Sequence, residues 1–103
     1  MKKKDDFLFF DKYKKEKILE FLHTDEVTVY IYSCIFNVKY KDKIGYTRKK
    51  SVVSTNVKIE SVEDRKYLVK NYLKKHPEFE DAKVVQLILV DTKTIIKSNL
   101  LKI

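Results

Sequence analysis

Residues 27–40 read VTVYIYSCIFNVKY, a run of β-branched and aromatic side chains that predicts one long strand. The four residues Asp42-Lys43-Ile44-Gly45 then suit a hairpin loop. The only glycine of the chain stands last in it, where a left-handed backbone costs least. Such a loop pairs residues whose numbers sum to 87, Lys41 with Tyr46 and Lys39 with Arg48 among them. One face of this hairpin then carries Tyr30, Tyr32, Cys34, Phe36, Val38, Tyr40, Val53, Val57 and Ile59. The other carries Asn37, Lys39, Lys41, Tyr46, Arg48, Lys50, Asn56 and Lys58. A slip of one residue would mix the two sets and bury charge, so the pattern itself argues for the pairing. Lys49 alone falls on the apolar face, close to the solvated tip, where a long stem can snorkel.

Helical spacing marks two other segments. Tyr13, Ile18, Phe21 and Leu22 predict an amphipathic helix over residues 11–22. A second is predicted after Ser61, which can cap it, with Glu63 and Asp64 at its positive end. Leu68, Val69, Tyr72 and Leu73 form its apolar stripe, Lys74 and Lys75 suit its negative end, and Pro77 stops it. Residues 82–90, AKVVQLILV, are apolar at both parities and predict a central strand buried on both faces. The period of residues 92–103 fits a strand or a short helix, and both readings stand. The expectation is an α+β domain in the order α-β-β(-β)-α-β, its antiparallel sheet built on the hairpin 27–59 with two helices on one face.

Length and composition fit a single domain over residues 1–103, with 44% apolar and 13% aromatic residues, enough for a packed core. One cysteine excludes an internal disulfide and a cysteine zinc site. Cys34 lies in an apolar run, which makes it a small buried hydrophobe rather than a nucleophile, and a reducing cytoplasm suits it. The apolar run at Phe7–Phe10 is too short for a signal peptide, and no stretch is long enough to span a membrane.

Charge changes the picture more than composition does. The net charge is +8, and residues 39–50 hold Lys39, Lys41, Lys43, Arg48, Lys49 and Lys50 against Asp42 alone. Five of the eight net positive charges therefore fall in twelve residues, which points to a negatively charged partner at the hairpin. Lys39, Lys41, Lys43, Arg48, Lys50 and Lys58 are the candidate phosphate contacts, and Tyr46 a candidate stacking platform. The competing reading of the same lysines is a solvated edge that keeps the hairpin from pairing with other chains.

Signals for catalysis are sparse. His76, Glu78, Glu80 and Asp81 crowd one loop, as polar loops between a helix and a strand commonly do. Asp81-Ala82-Lys83 has the acid-x-Lys form found in metal-dependent nucleases, where carboxylates hold the metal and the lysine orients water. One glycine excludes a backbone phosphate cradle. The expectation is a non-enzymatic protein without a cofactor.

Two resemblances concern partners. The run of helix, strands and helix over residues 11–76 resembles a double-stranded-RNA-binding domain in order and size. Where that family has a lysine-rich helix start, this chain has Ser61-Val62-Glu63-Asp64-Arg65-Lys66, opening with two acids. The hairpin, the helix start Ile59-Glu60-Ser61 to Asp64 and the strand 84–90 look like small accessory proteins of phages and mobile elements. That likeness implies an inhibitor or adaptor, anti-defence inhibitors included. The functional expectation is binding of nucleic acid, or of a nucleic-acid-bearing complex, by the basic hairpin face. The alternative is a protein-directed inhibitor docking on an acidic protein surface, and the remote one a metal-dependent nuclease using Asp81 and Lys83.

Overall fold

The computed structural model describes residues 6–8, 10 and 25–96. Their elements run β1 (Asp6–Leu8), β2 (Glu26–Tyr40), β3 (Thr47–Thr55), α1 (Val62–Lys75) and β4 (Phe79–Ile96). One four-stranded sheet forms in the order β1-β3-β2-β4. The hairpin partners β2 and β3 are antiparallel, as are β2 and β4, while β1 runs parallel to β3.

This corrects the expected fold class. Strands take 59% of the described residues and one helix accompanies them, so the α-β-β-α-β order with two helices does not hold. The helix expected over residues 11–22 lies outside the described residues. The strand β1 was not foreseen: three residues carry no periodicity, and a parallel partner 47 positions away leaves no local signal.

The central strand is β2, whose side chains alternate in burial from Tyr32 to Val38. Its even positions Tyr32, Cys34, Phe36 and Val38 form the core with Leu8, Val53, Leu68, Tyr72, Phe79 and Ala82. The Tyr72 ring of α1 stacks on Phe36 at 4.1 Å between centroids and lies 5.9 Å from Phe79. Burying a side chain of this size is worth about 1.5–3 kcal/mol. The Tyr72 hydroxyl shares a 3.2 Å hydrogen bond with the buried Ser51 hydroxyl, so its polar end is satisfied as well. On the opposite face Val27 and Val29 make a smaller cluster with Phe7, Ile31 and Ile95.

The helix begins and ends where the residue types indicate. Ser61 Oγ accepts from the Asp64 N–H at 3.1 Å, and Asp64 Oδ2 accepts from the N–H groups of Ser61 at 3.0 Å and Glu60 at 2.7 Å. This reciprocal cap satisfies donors that the first turn otherwise leaves orphaned. Leu68 and Tyr72 are buried in the core, with Val69 and Leu73 packed against it. The chain leaves the helix at His76, one residue before Pro77.

The expected register is displaced by two residues. The pairs Val38 with Thr47, Asn37 with Arg48 and Tyr30 with Thr55 all sum to 85 rather than 87. A shift of two preserves which residues share a face, so the separation into apolar and basic sets survives while every partner changes. The loop between the strands is correspondingly wider than four residues, covering 41–46. Asn56 leaves the basic face altogether: it is buried, and its Oδ1 accepts from the Phe10 N–H at 2.9 Å.

The strand β4 is also not what its composition predicts. It lies at the edge of the sheet, and most of it beyond Ala82 is exposed. The apolar run was read as buried on both faces because bulges disturb its alternation. Opposite the regular β2, β4 carries one extra residue at each of three points, Glu80, Val85 and Val90. Set those aside and the strand becomes two-faced. Ala82, Val84, Leu87, Leu89 and Thr92 follow the core side of β2, and Asp81, Lys83, Gln86, Ile88 and Asp91 the other side.

Candidate nucleic-acid interface

The side of the sheet away from α1 collects the basic residues in cross-strand rows. Arg48, Asn37 and Lys83 form one row across β3, β2 and β4. Lys50, Ile35 and Gln86 form the next, and Lys39 stands opposite Asp81 toward the tip. The tip is braced at its base, where the Lys41 N–H donates to the Glu78 carbonyl at 3.1 Å and the Lys43 N–H to the Tyr40 carbonyl at 3.3 Å. Gly45 has φ of 85°, the left-handed conformation the turn needs, with open space around it.

Six of the seven predicted contact residues come to this end of the molecule. Lys39, Arg48 and Lys50 lie on the strand face, and Lys41, Lys43 and Tyr46 in the loop. Lys58 is exposed but lies beyond the end of β3, outside these rows. Lys49 pairs with Phe36 and so stands on the core side, half-buried.

Two acids of β4 change the electrostatics. Lys39 Nζ bonds Glu80 Oε2 at 3.1 Å, which cancels its charge locally. Tyr46 donates its hydroxyl to Asp81 Oδ2 at 2.6 Å, and Lys83 Nζ sits 5.1 Å from the Tyr46 ring centroid. The Tyr46 bond holds the Asp81 carboxyl below its ordinary range. The same bond, with the negative charges of Asp81 and Glu80 behind it, raises the Tyr46 phenol above its own. One side of the Tyr46 ring is thus already occupied by a cation. Lys43 similarly lies 5.0 Å from the Tyr40 ring centroid. Among the described residues none supplies an ion-pair partner to Lys41, Lys43, Arg48 or Lys50. Those four side chains are the cationic surface a partner would meet.

The carboxylates around the acid-x-Lys segment are engaged by other side chains. Asp81 is bonded to Tyr46, Glu80 to Lys39, and Glu78 lies 3.6 Å from His76 Nδ1. Among the described residues no three His, Cys, Asp or Glu side chains converge as metal ligands would. Cys34 is wholly buried, and burial pushes its thiol up to about 12. Such a thiol does not supply a nucleophile near neutral pH.

Sequence reasoning missed Lys83 as a member of the basic face and Glu80 and Asp81 as its modulators. Their placement follows from β4 pairing alongside β2, which no local pattern reveals. Ile44, fully exposed at the loop apex, was also passed over. No helix among the described residues is long and apolar enough to cross a membrane. No protein-family model, no curated protein and no solved structure matches this chain.

Proposed function

We propose that this is a non-enzymatic binding protein whose basic loop and adjoining sheet face contact the phosphates of a nucleic acid or of a nucleic-acid-bearing complex. The observation that carries the reading is the clustering of Lys41, Lys43, Arg48 and Lys50 at one end of the sheet, each without an acidic partner among the described residues. Cations free of local pairing displace counterions when they meet phosphate, which is where such binding draws its free energy. Tyr46, half-exposed between them, offers the remaining side of its ring to an unstacked base. A reducing cytoplasm suits the single buried thiol.

One observation favours a second reading, a protein-directed inhibitor. Ile44 projects from the loop apex with no cover, and an apolar anchor ringed by lysines suits an acidic protein pocket better than a phosphate backbone. The likeness of the hairpin, the helix start and the following strand to phage-type accessory proteins fits this reading, and implies an anti-defence role. Co-purification from cells with a tagged copy separates the two. Nuclease-sensitive nucleic acid that is lost with Arg48→Ala and Lys50→Ala supports the first reading. A nuclease-resistant protein complex lost with Ile44→Asp supports the second and overturns the first.

A further inference from the structure

The outer edge of β4 has no strand beside it among the described residues, and it is the longest strand of the sheet. Among the described residues no neighbouring strand pairs its outward N–H and C=O groups, of which the Thr92 N–H donates to Asp91 Oδ1 at 2.8 Å. Such an edge is a template for another strand. Val85, Ile88, Leu89 and Val90 along it are 39 to 56% exposed, a concentration of apolar surface on an otherwise charged chain. The charges on either side of this apolar stretch say what fits it. Asp81 and Lys83 precede it, Asp91 and Lys93 follow it, and all four lie on the same side of the sheet.

We propose that β4 is a self-association edge: two copies pair antiparallel through it about a twofold axis at Leu87, joining two four-stranded sheets into one. An antiparallel pairing about Leu87 matches residues whose numbers sum to 174. Lys83 then meets Asp91 of the second copy and Asp81 meets Lys93, so the twofold yields four opposite-charge pairs. The neighbouring registers are disfavoured. A shift of two residues one way sets Asp81 against Asp91, and two the other way sets Lys83 against Lys93.

The bulges agree with this axis. Two residues separate Lys83 from Gln86, one of them the bulged Val85. Two also separate Ile88 from Asp91, one of them the bulged Val90. Each half thus carries one extra residue, and Gln86 with Ile88, Lys83 with Asp91, Ala82 with Thr92 and Asp81 with Lys93 fall on matching faces of the joined sheet. Bulges commonly protect an edge from pairing; here one on each side of Leu87, at Val85 and Val90, keeps the charged residues of the two halves in phase. This inference does not rest on the nucleic-acid reading, although Asp81 and Lys83 belong to both surfaces.

Sedimentation velocity over a concentration series tests it. The protein should show a monomer–dimer equilibrium. Lys83→Asp and Asp91→Lys should each weaken it by about tenfold or more, since each turns two attractive pairs repulsive. The double variant K83D/D91K recreates the pairs with signs exchanged and should restore dimerisation to within about threefold of wild type. Circular dichroism establishes that each variant is folded. Backbone hydrogen exchange of the unaltered protein gives a second readout, in which β4 amides should slow as concentration rises. A monomer at every concentration overturns the proposal, as does a dimer indifferent to both single reversals. Failure of the double variant to restore dimerisation, or β4 exchange that ignores concentration, overturns it as well.

Discussion

Glu80 restrains the basic face, and its removal should strengthen binding. Its carboxylate lies 3.1 Å from Lys39 Nζ, so Lys39 contributes little to the surface field. The change Glu80→Gln keeps the shape and frees that cation. With Lys41, Lys43, Arg48 and Lys50 as the phosphate contacts, log affinity for duplex DNA should fall against log salt with a slope of about −3.6. A fifth contact makes the slope about −4.5. If that contact is neutral in 1 M salt, it is worth about 0.7 log units at about 0.15 M, a gain of about fivefold or about 1 kcal/mol. The pair is exposed, so folding stability should change by no more than about 1 kcal/mol. Fluorescence anisotropy with a labelled duplex, titrated across salt, measures both quantities. Glu63→Gln adds the same net charge on the exposed first turn of α1 and should leave the slope unchanged. An unchanged slope for Glu80→Gln, or an equal gain from Glu63→Gln, would refute the reasoning, because only overall charge would then matter.

Three further outcomes follow from the interior and from the Tyr46 contact. Asp64→Ala removes two hydrogen bonds to a buried carboxylate and should cost about 2–3 kcal/mol in urea unfolding, more than the roughly 1 kcal/mol of Ser61→Ala; the opposite ranking contradicts the cap geometry. Burial raises the Cys34 thiol to about 12, so its contribution is whole below the unfolded pKa and is lost as pH rises from there toward the folded value. Wild type should accordingly lose about 1 kcal/mol more than Cys34→Ala between about pH 9 and about pH 10, and equal losses would show the thiol to be accessible. Asp81→Asn should return the raised Tyr46 phenol toward its ordinary pKa in an ultraviolet titration referenced to Tyr46→Phe; an unmoved phenol means the bond is not made in solution.

What the sequence made legible was local. Alternation separated Tyr32, Cys34, Phe36 and Val38 from Asn37, Lys39, Arg48 and Lys50, because a period of two is imposed by the strand itself. It could not choose between pairings that sum to 87 and to 85, since both keep the same faces. Ser61 and Asp64 announced the helix start because a cap is a contact among near neighbours. The errors came from long-range pairing. Whether residues 82–90 sit at the centre or the edge of the sheet depends on what lies beside them, and Val85 and Val90 concealed the two-faced pattern by breaking its phase. The contacts of Asp81 and Lys83 with Tyr46 were illegible for the same reason: only the approach of β4 to β2 brings them there.

The central claim is that the cations at the hairpin end with no acidic partner among the described residues bind phosphate. The most direct test is the salt dependence of binding to a labelled duplex by wild type and by Arg48→Ala. The account predicts a log–log slope of about −3.6 for wild type and one shallower by about one unit for the variant, with similar weakening across unrelated sequences. No retention of DNA or RNA even in low salt, or a slope that Arg48→Ala leaves unchanged, would contradict it.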